Sequence, residues 1–108
     1  MQKLSLEATA REQLDQARRD GGRAASTVFG GHEQVLRQTV IALVAGTEMK
    51  EHESPGAATL HVLSGRVRLT AGDDSWDGRT GDLIVIPPTR HGLVALEDSV
   101  VLLTVAKT

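Results

Sequence analysis

The chain has 108 residues and carries 12 Lys and Arg against 14 Asp and Glu, so its formal net charge is only -2. This length suits one domain with one hydrophobic core, and the balanced charge argues against general attraction to nucleic acid or to an anionic membrane. The absence of cysteine excludes disulfides, thiolate zinc sites and a cysteine nucleophile. Any metal binding or catalysis therefore depends on His, Asp and Glu.

Membrane and export signals are also absent from the sequence pattern. The longest apolar run covers residues 40–45, far below the roughly 20 residues of a membrane helix. The N-terminus lacks the basic-then-apolar order of a signal peptide. We expect a soluble, cytoplasmic protein.

An N-terminal helix is predicted from Ser5 to about Asp20. Its apolar residues recur at steps of four, four and three, which is typical of one helix face, and Ser5 is a suitable N-cap. The pair Gly21-Gly22 ends the helix. Because the apolar stripe is narrow and rich in alanine, we expect it to lie against the domain or a partner subunit. The stripe consists of Leu6, Ala10, Leu14 and Ala17.

The remainder of the chain follows the period of two that strands show. We divide the chain into an N-terminal helical extension, residues 1–22, and a β domain, residues 23–108. About eight short strands separated by turn signals, with no helix between them, favour an all-β antiparallel sandwich or barrel. The predicted strands are Ser26–Phe29, Gln34–Leu43, Glu48–Glu51, Ala57–Leu63, Arg66–Ala71, Leu83–Pro87, Gly92–Leu96 and Ser99–Ala106, and the predicted turns include Gly72-Asp73-Asp74 and Gly78.

Two spaced motifs in the β domain resemble those of the cupin superfamily, the small jelly-roll barrels. In the first, five residues separate Gly46 from His52, and the chain reaches Gly65 at the family's spacing. In the second, "GDLIVIPPTRH", five residues separate Gly81 from Pro87, and a histidine closes the motif. The whole chain is similar to short single-domain bacterial cupins of unassigned function. The resemblance implies a cupin-type, RmlC-like jelly roll with a short N-terminal α-helix.

The same resemblance marks a departure from the family's metal-binding pattern. The first motif of the family carries two histidines and a glutamate, whereas this chain has His52, then Ser54 at the second histidine position and Ala58 at the glutamate position. His91 matches the histidine of the second motif but comes one residue early, and Thr89 stands where glycine is usual. The resemblance therefore implies a degenerate, histidine-based metal site. A divalent transition metal (Fe, Ni, Cu, Mn or Zn) suits imidazole ligands, but two histidines alone hold such an ion poorly.

His61 is the candidate third metal ligand. It lies three residues after Ala58, so strand alternation sends the two side chains to opposite faces. A bulge or register change after Pro55-Gly56 would reverse this and would give a metal site of His52, His61 and His91. Without that change, His61 is an ordinary strand residue.

Several other polar or aromatic residues have ordinary structural explanations. His32 lies in a predicted turn, Glu51 and Glu53 are near His52 in sequence, and Glu53 is expected to be solvated by alternation. A lone tryptophan in a hairpin usually serves as a packing anchor, and charged side chains commonly occupy an exposed strand face. These last residues are Trp76, Arg66 and Arg68.

Several functions remain open at this stage. The first is a small-molecule binding barrel in which His52 and His91 hydrogen-bond the ligand. The second is a metal-dependent enzyme of oxygenase or isomerase type that also uses His61. Metal-free acid–base chemistry and a structural role with an empty barrel are further alternatives, although no acidic residue stands at an evident pairing position to either histidine. We expect a homodimer, because a jelly roll exposes sheet edges that need covering.

Overall fold

The computed structural model describes residues 2–54 and 56–107. These residues form one helix and nine strands: α1 (Leu6–Arg19), β1 (Arg23–Phe29), β2 (Leu36–Leu43), β3 (Glu48–His52), β4 (Gly56–Ser64), β5 (Arg66–Ala71), β6 (Asp74–Arg79), β7 (Leu83–Val85), β8 (His91–Ala95) and β9 (Ser99–Lys107). Sheet A has the strand order β1-β2-β9-β4-β7, and sheet B has the order β3-β8-β5-β6. All strand pairs are antiparallel. The predicted all-β jelly-roll fold is confirmed.

The two sheets enclose a core of aliphatic side chains. With one Phe and one Trp in the chain, the core is filled by Val, Leu, Ile and Ala, whose alternation along each strand directs every second side chain inward. Burying one of the larger aliphatic side chains contributes about 1.5–3 kcal/mol. The buried core residues are Ile41, Leu43, Ala58, Leu60, Val62, Val67, Leu69, Ile86, Leu93, Ala95, Val101 and Val105.

Helix α1 covers part of the outer face of sheet A. The hydroxyl of Ser5 accepts a hydrogen bond from the Ala8 N–H at 3.1 Å, as its predicted N-cap role requires. The helix ends just before Gly21, whose φ of 78° suits glycine. The predicted apolar stripe packs on Val40, Ala42 and Val100, so the helix lies against the β domain as expected. The division of the chain into residues 1–22 and 23–108 stays a prediction, and no helix in the described residues is long and apolar enough to span a membrane.

Asp98 joins the C-terminal end of α1 to the sheets. Its carboxylate accepts a hydrogen bond from the Ala45 N–H at 2.9 Å and another from the Arg18 guanidinium at 3.0 Å. The Ala45 N–H, and after it the Arg18 guanidinium, hold the pKa of Asp98 below its usual value. A polar contact thus supplements the weak apolar stripe of the helix.

Strand β6 was not among the predicted strands. Its sequence, DSWDGR, contains Asp and Gly, which favour turns over strands, so the sequence predicts turns at Asp74 and Gly78. The structure pairs all six residues with β5, from Arg79 opposite Arg66 to Asp74 opposite Ala71. Pairing with a neighbouring strand has therefore overridden the low β propensity of this segment.

Candidate functional site

His52 and His91 meet on the inner face of sheet B. They are paired residues of the β3–β8 ladder, their ring centroids are 4.6 Å apart, and their planes make an angle of 60°. His91 is buried, with 5% of its surface exposed, whereas His52 is open to solvent. The pair therefore lies at an end of the sandwich that a solute can reach from the side of His52.

A β-bulge in β3 turns His52 inward. Met49 pairs with Leu93 and packs on the core, and the next recorded pair of the ladder is His52 with His91. Because Met49 and His52 are three residues apart, plain alternation would send their side chains to opposite faces. The register shift between them, with two residues of β3 opposite Gly92 alone, restores both to the inner face.

Backbone carbonyls fix the orientation of both imidazoles. The Nδ1 atom of His91 lies 2.9 Å from the carbonyl oxygen of Thr89, and that of His52 lies 3.2 Å from the carbonyl oxygen of Lys50. A carbonyl oxygen can only accept, so Nδ1 carries the hydrogen in each ring. In the neutral rings the Nε2 atoms are therefore the ones left to accept a hydrogen bond or to bind a metal ion.

His61 lies on the opposite face of its strand from the core. Its neighbours Leu60 and Val62 are buried among the core residues, so His61 points outward, where it is paired with Leu102 on one side and Leu83 on the other. The ladder between β4 and β9 has no register shift before Val62. The structure therefore does not bring His61 to the two inward-facing histidines. The turn residue Pro55, after which a register change would turn His61 inward, lies outside the described residues.

The side chains around the histidine pair do not form a complete metal site. Ser54 donates its hydroxyl to the carbonyl of Gly56 at 2.9 Å, and Ala58, buried on the inner face, has no donor atom to offer. Across residues 2–54 and 56–107, no group of three or more His, Cys, Asp or Glu side chains is arranged to hold a metal ion. His52 and His91 supply two ligands, fewer than the three or more protein ligands that transition-metal sites commonly use. The donor set does not fit a tightly held resident metal.

The acidic residues next to the pair are engaged elsewhere. The guanidinium of Arg90 lies 3.9 Å from a carboxylate oxygen of Glu51 and 3.4 Å from one of Glu53. The Glu53 side chain is also strongly exposed, at 81% of its surface. These carboxylates therefore neutralise Arg90 at the surface rather than assisting an imidazole.

Arg37 is an inner-facing residue outside the set predicted from the sequence. The β2–β9 ladder is regular along all of β2, so Arg37 shares the face of the core residues Ile41 and Leu43. Its partner Val105 pairs in turn with Ala58. Neighbouring strands lie about 4.8 Å apart, which places the Arg37 backbone two strands, roughly 10 Å, from Ala58. Alternation along β2 (Arg37, Thr39, Ile41, Leu43) is the sequence signal that could have identified it.

The other residues noted in the sequence lie at the surface. His32 is exposed in the turn between β1 and β2. Arg68 forms a two-point ion pair with Asp77, at 2.7 and 3.1 Å, on the outer side of sheet B. Trp76 lies on β6 with 44% of its surface exposed. None of these side chains is part of the histidine pair.

Two antiparallel sheets around one aliphatic core, with a pair of inward-facing histidines from β3 and β8, define a cupin-type jelly roll. The chain belongs to the cupin domain family, whose model matches residues 39–106. A comparison with curated proteins gives no match. The predicted resemblance to small cupins is confirmed.

Solved structures support the same assignment. A conserved protein of unknown function from Streptococcus pyogenes is 32% identical, with a TM-score of 0.74 over 82% of this chain and 77% of that chain. An RmlC-like cupin protein from Desulfovibrio desulfuricans is 26% identical, with a TM-score of 0.70 over 81% of this chain and 84% of that chain. Salicylate 1,2-dioxygenase from Pseudoaminobacter salicylatoxidans is 20% identical, with a TM-score of 0.80 over 95% of this chain and 33% of that chain. This last likeness concerns the fold alone.

Proposed function

We propose that this cupin binds a small organic molecule at the end of the sandwich where His52 and His91 meet. The observation that carries the proposal is the fixing of both Nδ1 atoms by backbone carbonyls, which aims the two Nε2 atoms before any ligand arrives. Polar groups held in place in advance lose less conformational entropy on binding. The imidazoles then serve as the polar contacts that orient the ligand.

The surroundings of the pair suit an organic ligand. Met49 and Leu93 lie on the same inner face of sheet B, while Ala58 and Ile86 come from the facing side of the core. Small-molecule sites are commonly apolar with a few convergent polar groups. Ala58 adds an apolar methyl group to this inner face rather than a polar side chain.

A metal-dependent enzyme of oxygenase or isomerase type is the second candidate. In its favour, a metal-binding histidine commonly donates its other ring N–H to a carbonyl or carboxylate, as His52 and His91 do here. The fold likeness to salicylate 1,2-dioxygenase is compatible with it. This candidate needs a third ligand for Fe, Ni, Cu, Mn or Zn, and in the described residues neither His61 nor an acidic side chain supplies one.

A fragment screen followed by NMR of the imidazole resonances separates the two candidates. For the binding barrel, we expect fragments that shift the resonances of His52 and His91, with affinity unchanged by EDTA, at least tenfold weaker in His91→Ala and unchanged in the outward-facing control His61→Ala. About one equivalent of metal after chelator-free purification, with fragment binding that EDTA abolishes, would favour the enzyme. Fragments that bind without involving either histidine would refute the proposed site.

We further propose that the protein forms a homodimer through the β7 edge of sheet A. Strand β7 ends that sheet, and its residues Leu83 and Val85 are 62% and 74% exposed. Together with Trp76 they line one shallow groove. An antiparallel edge strand can pair with its own copy about a two-fold axis, which makes a second copy of this chain the natural occupant.

A further inference from the structure

We infer that the ligand at the histidine pair carries a carboxylate, and that Arg37 binds this group. The inference rests on the proposed function and names the class of ligand. Arg37 projects from the inner face of β2, on the sheet opposite the two histidines. The loops that join β3 to β4 and β7 to β8 lie at this same end of the sandwich, because β4 begins and β7 ends there.

The guanidinium of Arg37 has no carboxylate partner within the described residues. None of the ion pairs among them uses it, although the residue is half-buried. A guanidinium presents five N–H donors in a planar fork and stays charged at all physiological pH values. The acceptor that matches this fork best is a carboxylate or a phosphate, through two parallel hydrogen bonds.

The polar groups at this end of the inner face favour an anionic ligand. They comprise one guanidinium, two imidazoles and the hydroxyl of Thr39, which lies 3.4 Å from that of Thr27 on the neighbouring strand. Ala58 stands where the family resemblance places a glutamate, so the carboxylate expected here is missing. The nearby carboxylates of Glu51 and Glu53 lie against Arg90 at the surface, so an anion beside Arg37 meets the positive charge of that guanidinium directly.

The apolar residues near the pair distinguish a carboxylate from a phosphate. Met49, Leu93 and Ile86 belong to the core or pack directly on it, so a ligand between Arg37 and the histidines needs an apolar body. A phosphate is more strongly hydrated and more highly charged than a carboxylate. These apolar side chains offer it no hydrogen bonds in place of those it makes with water. The geometry points to a monocarboxylate.

The far end of this ligand should carry a hydrogen-bond donor. In the neutral imidazoles the Nε2 atoms accept, since both Nδ1 hydrogens are used by backbone carbonyls. Facing sheets pack roughly 10 Å apart, so the body of a ligand between Arg37 on sheet A and the imidazoles on sheet B is no larger than one ring. A hydroxyl opposite the carboxylate meets both requirements.

Three compounds test each part of this inference by calorimetry on the full chain: 4-hydroxybenzoate, its neutral amide 4-hydroxybenzamide, and benzoate, which lacks the hydroxyl. We expect the amide to bind about 10- to 100-fold more weakly than 4-hydroxybenzoate, because it loses a charge-assisted hydrogen bond. Benzoate should bind more weakly by a smaller factor. This comparison needs no variant, so it does not depend on the folding of one.

Variants then assign the carboxylate contact to Arg37. Arg37→Gln should bring the affinities of the acid and the amide together, and Arg37→Lys should retain part of the difference, because lysine keeps the charge without the planar fork. The control Arg68→Gln, on the outer side of sheet B, should leave the difference unchanged. Amide NMR spectra of each variant establish that it is folded.

The outcomes separate this inference from the proposed function. Equal binding of acid and amide, or a folded Arg37→Gln variant that still distinguishes them, overturns the carboxylate inference while leaving the histidine site in place. Tighter binding of inorganic phosphate than of 4-hydroxybenzoate likewise overturns it. If no compound binds, the inference fails in this form, whereas fragments that shift the imidazole resonances would still uphold the proposed function.

Discussion

The ring centroids of His52 and His91 lie 4.6 Å apart because a β-bulge in β3 turns His52 inward. The bulge and the two carbonyl hydrogen bonds keep both rings in position although Ser54 and Ala58 offer no further metal ligand. The two histidines thus occupy positions at which the family resemblance implies metal ligands, while the other two implied positions hold Ser54 and Ala58. Substitutions at positions 54 and 58 should therefore complete a metal site around the two histidines.

The double variant Ser54→His and Ala58→Glu should gain metal binding. It supplies the two ligands that the family resemblance places at these positions, beside His52 and His91. Without metal, the carboxylate introduced at the buried position 58 is unpaired and destabilises the fold. With Ni²⁺ or Zn²⁺ at 100 times Kd, binding to the folded state should add about 2.7 kcal/mol to the free energy of unfolding. Thermal denaturation with and without metal measures the effect.

Two controls keep this prediction specific to the designed set of ligands. The same double substitution with His91→Ala should lose the metal-dependent rise in Tm. The wild-type chain, with two histidines, should show little rise at the same metal concentration. A double variant whose Tm ignores metal would mean that positions 54 and 58 do not converge on the histidine pair.

Gly65→Ala should destabilise the protein much more than Gly46→Ala. Both glycines have positive φ, 89° and 87°, so alanine at either position costs about 1–2 kcal/mol of backbone strain. At Gly65, a Cβ would also overlap the Ser99 hydroxyl and the Asp98 carbonyl, whereas at Gly46 it would meet no atom within 4 Å. The Ser99 hydroxyl is held by the backbone of Arg66, so it cannot move away without breaking hydrogen bonds.

Urea denaturation of the two glycine variants measures this difference. We expect the free energy of unfolding to fall by about 3 kcal/mol or more in Gly65→Ala, since strain and steric overlap add. Gly46→Ala should show the strain alone. Equal losses in the two variants would contradict the close approach of residues 65 and 99.

Asp98 should make the stability of the protein depend on pH on the acid side. Its pKa is lowered by the Ala45 N–H and by Arg18. A carboxyl group whose pKa is lower in the folded than in the unfolded state contributes stability above its usual pKa of about 4. That contribution disappears as the pH falls through the lowered folded value. Stability should therefore decline below about pH 4 partly through Asp98.

Asp98→Asn isolates this contribution in thermal denaturation between about pH 7 and about pH 2.5, a range that spans the titration of carboxyl groups. The variant should have a lower Tm at neutral pH, and the gap to the wild type should narrow as the pH falls. Asp73→Asn, on an exposed turn residue, is the matched control and should follow the wild type. A gap that stays constant with pH would show that the charge of Asp98 is not involved.

The sequence predicted the framework of the fold and its histidine pair, but not the facing of every residue. The helix and most strands followed from hydrophobic periodicity, because their apolar faces are continuous. Strand β6 escaped prediction, since its Asp and Gly residues form a strand only through pairing with β5. The intrinsic strand propensity of a segment does not include the stabilisation that it gains from pairing with a neighbouring strand.

The position of the β-bulge determines which face of the sheet each site residue occupies. A register change after Pro55 would turn His61 inward, but the bulge that the structure shows lies between Met49 and His52. Bulges leave little trace in composition, so the sequence could not locate this one. Arg37 differs from His61: its inward facing follows from alternation with Ile41, but a charged residue at a strand end usually faces solvent.

The proposed homodimer makes the edge of sheet A the most informative surface to alter. Leu83→Lys with Val85→Lys places two positive charges on β7, and lysine on an edge strand opposes pairing with another strand. In a two-fold dimer the lysines of one copy also lie close to those of the other, so like charges repel across the contact. We expect the wild type to show about twice the 11.5 kDa chain mass by light scattering at micromolar concentration, and the double variant to show the monomer mass.

Val35→Lys is the control for this prediction, because it alters another exposed apolar residue away from β7, and it should remain dimeric. A monomeric wild type, or a dimer that tolerates both lysines, would place the contact elsewhere or refute it.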